Sequence, residues 1–172
     1  MRKELFYPSE DGEARLLLLI SAFSKGDKCL EGRTKLAKLD FLLRYPSFLC
    51  RALEIRGAGK YVLSKIVYEE DIETKMVRYR YGPWDPAYYA LLGRLIGKRL
   101  ITPIPFKGGI GFKVTNKGLL IAGELSESLG WAEVAERIKM LKSKFDVTGT
   151  TLTKFIYNNF PEVVSASWGE KL

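Results

Sequence analysis

The sequence predicts a mainly α-helical chain with a small β component, an α+β fold. Three observations predict it. Apolar residues recur at the helical period in most segments, β-type stretches are confined to the middle of the chain, and no repeat, low-complexity tract or long linker breaks the order. The 172 residues, 47% apolar, suffice for one well-buried core or a core with an appended lobe. The organisation read from the chain is an N-terminal helical segment (1–60), a core (61–128) and C-terminal helices with a docking segment (129–172), forming one compact unit.

The elements follow in order. "DGEARLLLLISAFSKG" predicts a helix from Glu13 to Ser24, capped by Asp11 and stopped at Gly26. "RTKLAKLDFLLRYP" predicts a second, with Thr34 as N-cap, an apolar stripe of Leu36, Leu39, Leu42 and Leu43, and Lys35, Lys38 and Arg44 off it. Pro46 ends that helix, and "SFLCRALEIRG" forms a third between Ser47 and Gly57. "VLSKIVY" and "TKMVRYRYG" read as two strands, or as a helix end and one strand. In the latter, Met76, Arg78 and Arg80 share one face and Val77, Tyr79 and Tyr81 the other, which favours exposed arginines.

Asp85 followed by Pro86 is an N-cap with proline at the first helical position. The helix it opens carries Leu91, Leu92, Leu95 and Ile96 in one apolar stripe. "LITPIPF" and "GFKVT" form a hairpin around Lys107-Gly108-Gly109, and Thr115 or Asn116 caps the next helix. "WAEVAERIKMLKSKF" is amphipathic through Trp131, Val134, Ile138 and Leu141. A helix from Leu152 to Asn158 follows, then a loop with Pro161. The closing segment, with Phe155, Phe160, Val163 and Trp168, is too apolar for a free tail and docks on its own domain or on another subunit.

Helix, two-stranded ribbon with a basic glycine turn, helix is the order of a winged helix, in which the helix before the ribbon is the recognition helix. Gly93 and Gly97 each cost that helix about 1 kcal/mol relative to alanine. Spaced by four, they flatten one strip so that a phosphate or protein backbone can approach, or so that another helix of the chain packs there.

Charge points the same way. The net charge is +8, and between Pro86 and Gly123 there is no acid against Arg94, Lys98, Arg99, Lys107, Lys113 and Lys117. With Arg78 and Arg80, these are the expected contacts to duplex DNA phosphates, which hold the backbone rather than read bases. A generally basic soluble surface is the plainer account. Trp84, Tyr89, Phe155, Tyr157, Phe160 and Trp168 are the aromatics expected to meet a partner protein. Trp84 and Tyr89 could also stack on bases, and Trp84 could equally staple the helix it precedes.

Chemistry finds little support. With no histidine and two cysteines, Cys29 and Cys50, the usual zinc patterns and every histidine-dependent nucleophile are excluded. Glu73-Thr74-Lys75 matches half of a magnesium nuclease site, with Glu69, Glu70 and Asp71 nearby, but a solvated acidic turn explains it more simply. Gly57, Gly59 and Lys60 lack the spacing of a phosphate-binding glycine loop. The expectation is a non-enzymatic protein without cofactor or metal. No apolar run reaches membrane-spanning length, and acids stand where a signal peptide would be apolar, so a cytoplasmic protein without membrane contact is expected.

At "EGRTKLAKLDFLLRYP", "MVRYRYGPWDPAYYALLGRLIGKRLI" and "TGTTLTKFIYNNFPEVVSASWGEKL" the chain resembles a known family. This is the middle component of three-component ABC-ATPase systems related to Lamassu-type anti-phage and anti-plasmid defence. The matching positions are 32–36, 44–46, 80–85 and 168–170. The resemblance implies a non-catalytic subunit that binds an SMC-like ATPase and couples it to an effector, commonly a nuclease. Two further readings stand beside it: a homodimeric winged-helix transcription regulator with its C-terminal helices as the seam, and a nuclease using Glu73 and Lys75.

Overall fold

The computed structural model describes residues 7–66, 76–79 and 82–172. Its elements are α1 (Glu10–Phe23), α2 (Gly32–Arg44), α3 (Pro46–Ile55), α4 (Lys60–Ser64), β1 (Val77–Tyr79), β2 (Gly82–Trp84), α5 (Tyr88–Gly97), β3 (Ile101–Phe106), β4 (Gly109–Val114), α6 (Asn116–Glu127), α7 (Ala132–Phe145), α8 (Gly149–Asn159) and α9 (Pro161–Ser165). The fold is mainly helical with two small antiparallel sheets, β1-β2 and β3-β4, as the fold class predicted. Among the described residues no helix is long and apolar enough to cross a membrane.

The run of leucines in α1 is explained by its position. Leu16, Leu17, Leu19 and Ile20 are all buried, and the helix packs against α2, α5, α6, α7 and β4. A helix that is apolar most of the way round belongs at the centre of a core. The remaining buried side chains, from Leu36 and Phe41 to Leu141 and Ile156, surround it in one cluster.

Helix ends differ from the sequence reading by one turn or less. Ser9, not Asp11, caps α1, its hydroxyl accepting from the Gly12 N–H. α2 starts at Gly32, two residues before Thr34. Pro46 both ends α2 and sits in the first turn of α3, the place where a missing N–H costs nothing, so Ser47 is not the cap. Of the two expected candidates Thr115, not Asn116, caps α6, accepting from the Gly118 N–H. Pro161 likewise opens a short helix, α9, rather than a loop.

Rather than capping α5, which starts at Tyr88 behind Ala87 without a side-chain cap, Asp85 holds the Pro86–Ala87 turn ahead of that helix. Its Oδ1 accepts from the Ala87 N–H, and its Oδ2 accepts from the Arg44 guanidinium at 2.8 Å. Arg44 also lies 3.5 Å from Asp40, which accepts from Arg15 at 2.7 Å and from the Tyr88 hydroxyl at 2.7 Å. This buried network ties α1, α2 and the start of α5 together and so sets the angle at which α5 leaves the core.

Two expectations are corrected here. Arg78 is 8% exposed, not outward, and it shares the buried face with Met76 while Val77 is half-buried. Period-2 alternation separates two faces but does not say which is inner. The packing of the β1-β2 pair against α2 decides it, and the chain's last residues pair along the edge of β1 away from β2. Arg78 N–H donates to the Glu170 carbonyl, Gly169 N–H to the Arg78 carbonyl and Leu172 N–H to the Met76 carbonyl. Phe155 and Phe160 are core residues, not a partner surface. They pack with Phe145 and Phe48 at centroid distances of 5.0 and 5.1 Å, under the guanidinium groups of Arg56 and Arg51. The segment therefore docks on its own chain. Arg80 and Tyr81, and the nuclease candidates Glu69, Glu70, Asp71, Glu73 and Lys75, lie outside the described residues.

Candidate interaction face

The hairpin folds as the glycine turn predicted. β3 and β4 pair from Ile101↔Val114 to Phe106↔Gly109, leaving Lys107 and Gly108 as the loop. Leu30 adds one antiparallel bridge to Phe112, with backbone hydrogen bonds of 2.8 and 2.9 Å in the two directions. This clamps the start of α2 against the hairpin. Ile101, Phe112 and Val114 are buried at the hairpin base, whereas Pro103, Pro105 and Ile110, on the same face nearer the tip, are exposed.

That change from buried to exposed opens a groove of about 660 Å³. One wall is α5, through Tyr89, Leu92, Gly93 and Ile96; the second is the hairpin, through Pro103, Phe106, Ile110 and Phe112; the third is the first turn of α2, through Gly32, Arg33 and Thr34. Tyr89 is 61% exposed and Ile110 60%, and Ile96, expected in the core stripe, is 36% exposed. The Arg33 guanidinium lies 4.8 Å above the Tyr89 ring. Trp84 braces the same corner, 5.1 Å edge-on to Tyr88 and 5.9 Å from Tyr89.

Gly93 and Gly97 are open. Among the described residues a Cβ at either would meet nothing within 4 Å, so the packing of another described helix does not explain them. Gly118 is the contrast: a Cβ there would lie 2.1 Å from the Leu100 carbonyl oxygen, because the start of α6 crosses the start of β3 at backbone contact.

The cations expected to act together fall into separate places. Arg94 and Lys98 both reach the buried carboxylate of Glu13, at 3.3 and 2.5 Å, and Arg94 also donates to the Pro8 carbonyl at 2.8 Å. They therefore face α1 rather than the groove. Arg99 is exposed at the end of α5, and Lys117, also exposed, donates from its Nζ to the Lys98 carbonyl. Lys113 is half-buried opposite Thr102, and Lys107 is exposed at the far end of the hairpin, five residue steps or roughly 17 Å from the base. Lys98, Arg99 and Lys117 thus form a ridge where α5, β3 and α6 meet.

Of the expected partner residues, Trp84 and Tyr89 stand at the groove. Tyr157 is half-buried beside Gly82, and Trp168, 71% exposed, lies on the terminal segment that pairs with β1. Sequence reading missed Arg33, Ile96, Phe106 and Ile110 as surface groups. Ile110 carried a signal, since an aliphatic residue between glycines at a hairpin tip has little chain to hide behind. Among the described residues no group of three or more histidine, cysteine or acidic side chains is placed to hold a metal ion. Comparison with protein-family models, with curated proteins and with solved structures finds no match to this chain.

Proposed function

We infer that the chain is a non-catalytic accessory subunit built on a winged-helix-type core. In this reading it docks on an SMC-like ATPase, couples it to an effector nuclease in anti-phage or anti-plasmid defence, and touches DNA only through the backbone. The observation that carries the reading is the open groove between α5 and the hairpin, an apolar surface with exposed Tyr89, Ile96 and Ile110 that a protein without a partner would expose at a cost. The element order supports the core assignment: α1, the Leu30 bridge, α2, then α5, hairpin and α6, with residues 46–87 inserted ahead of the recognition helix. The named ATPase and effector come from the family resemblance.

DNA contact falls to Lys98, Arg99, Lys117 and Lys107. The open face of α5 offers Tyr89, Gly93, Ile96 and Gly97, with no hydrogen-bonding fork for a base edge. Such a surface positions a duplex and does not read it. The test is a tagged pull-down from the native host, with and without nuclease treatment, read by mass spectrometry. A coiled-coil ATPase retained in stoichiometric amount after nuclease treatment is expected. Recovery of the chain with DNA fragments alone overturns the reading.

One observation favours a second reading, a homodimeric winged-helix transcription regulator. Leu119 and Leu120 on α6 and Leu129 beyond it are exposed and would suit a two-fold seam. Sedimentation equilibrium and footprinting decide: a regulator is a symmetric dimer that protects a palindrome with half-sites about one helical turn apart.

A further inference from the structure

We propose that the groove between α5, the hairpin and the first turn of α2 receives an acidic amphipathic helix from the partner protein. This rests on the accessory-subunit reading, because it names the segment by which that partner is gripped.

Three features select the occupant. The first is shape and hydrophobicity. Leu92, Ile96, Phe106 and Ile110 line the groove, and open Gly93 lets a second backbone approach α5 closely. Second, the incoming segment must satisfy its own backbone. Proline has no N–H, and Pro103 and Pro105 alternate with the ladder positions of β3, so along the groove that edge offers no donor at either position for an added strand. On the other side, Leu30 already pairs with β4, and the Cys29 side chain packs on Gly111. An added strand would find donors missing on one edge and Leu30 already seated on the other, whereas a helix bonds internally and presents one apolar face.

Third, the charge is one-sided. The α2 helix opens toward the groove with no side-chain cap from Glu31 and no acid in its first turn. Arg33 stands beside it, and Lys107 lies next to Phe106 and Gly108 at the rim. The one acid on the lining, Glu31, faces Lys35 at 3.7 Å. Carboxylates on the polar flank of the incoming helix would meet Arg33, Lys107 and the positive end of α2. Lysines there would be repelled.

A display selection of random peptides about 16 residues long, against the immobilised full chain and counter-selected on Gly93→Leu, tests this. Gly93→Leu fills the groove at a site where nothing stands in the way, so it should fold, and its circular dichroism and melting curve are checked. Enriched sequences should carry Leu, Ile, Phe or Met at i, i+3 or i+4, and i+7, with Asp or Glu on the flank. The synthetic winners, labelled with fluorescein, should lose about tenfold or more in affinity on Gly93→Leu and on Ile110→Asp. Arg33→Glu should weaken acidic winners and strengthen their lysine-substituted forms.

Absence of enrichment over the counter-target overturns the proposal, as does enrichment of basic or non-helical sequences, or displacement of the winners by duplex DNA at equal concentration. The two readings fail separately. If Gly93→Leu still retains the ATPase in the pull-down, the groove assignment is wrong and the subunit reading stands. If peptides bind as described and no ATPase is retained, the reverse holds.

Discussion

Arg44 Nη1 and Asp85 Oδ2 lie 2.8 Å apart, both buried, although 41 positions separate them in the chain. One closes α2 and the other opens the turn into α5, so the pair welds the core to the helix that forms the groove wall. Removing one partner of a buried pair leaves the other charge uncompensated, at a cost of about 3 kcal/mol. Asp85→Ala should lower the urea-derived unfolding free energy by that order, softened by the second contact of Arg44 with Asp40. A loss below about 1 kcal/mol would place the weld elsewhere.

Asp40 links this pair to acid stability. Burial pushes its carboxyl up, but the charges of Arg15 and Arg44 and the hydrogen bonds from Arg15 and Tyr88 outweigh it and hold it below the usual value. A carboxylate depressed in the folded state contributes stability that is complete above its unfolded value and is lost as pH falls through the folded one. Unfolding free energy should therefore drop as pH falls below about 4. Lowering pH in Asp40→Asn should cost less, on top of a lower plateau at neutral pH. Equal acid limbs in the two proteins would contradict this.

Lys38 gives the opposite limb. Burial, and then the Arg78 charge, lower its ammonium to about 8 from an ordinary 10.5. Between those values the unfolded chain binds the proton that the folded chain has shed, so stability should rise with pH from about 8 to about 10. Above that the trend turns, because burial and the Asp40 charge raise the Tyr88 phenol and ionising it opposes folding. Lys38→Met should flatten the rise in denaturant titrations across this window; an undiminished rise would remove Lys38 as its source.

Arg99 has φ 60°, the left-handed region that glycine enters freely. It is the residue after the cap of α5, with Arg99 N–H bonded to the Ile96 carbonyl and Leu100 N–H to the Leu95 carbonyl, the double closure usually built on glycine. Arginine there costs about 1 kcal/mol. Arg99→Gly should raise Tm by several degrees and, if the ridge holds phosphates, weaken duplex binding and shallow its salt slope by about one charge. Higher Tm with unchanged DNA affinity would remove Arg99 from the DNA surface.

Gly93 and Gly118 should respond oppositely to alanine. At Gly93 the new methyl meets open space, and the helix gains about 1 kcal/mol. At Gly118 it strikes the Leu100 carbonyl oxygen, and separating α6 from β3 should cost about 3 kcal/mol. Differential scanning calorimetry of the two variants checks both signs.

The sequence by itself determined the helices and most of their apolar faces, a cap at Thr115 or Asn116, and a hairpin turning at Lys107-Gly108-Gly109. These depend on residues within one or two turns of one another, so their signals are local. Only the tertiary structure decided which charges face outward. Glu13 draws Arg94 and Lys98 toward α1 from 81 and 85 positions away, leaving Lys98 half exposed on the ridge, and the packing of the β1-β2 pair on α2 turns Arg78 inward. The groove is likewise assembled from residues 31–34, 89–96 and 103–112, three stretches that no periodicity joins. A local pattern separates the faces of an element, but the free energy of burying or exposing each face is set by what the folded chain brings against it.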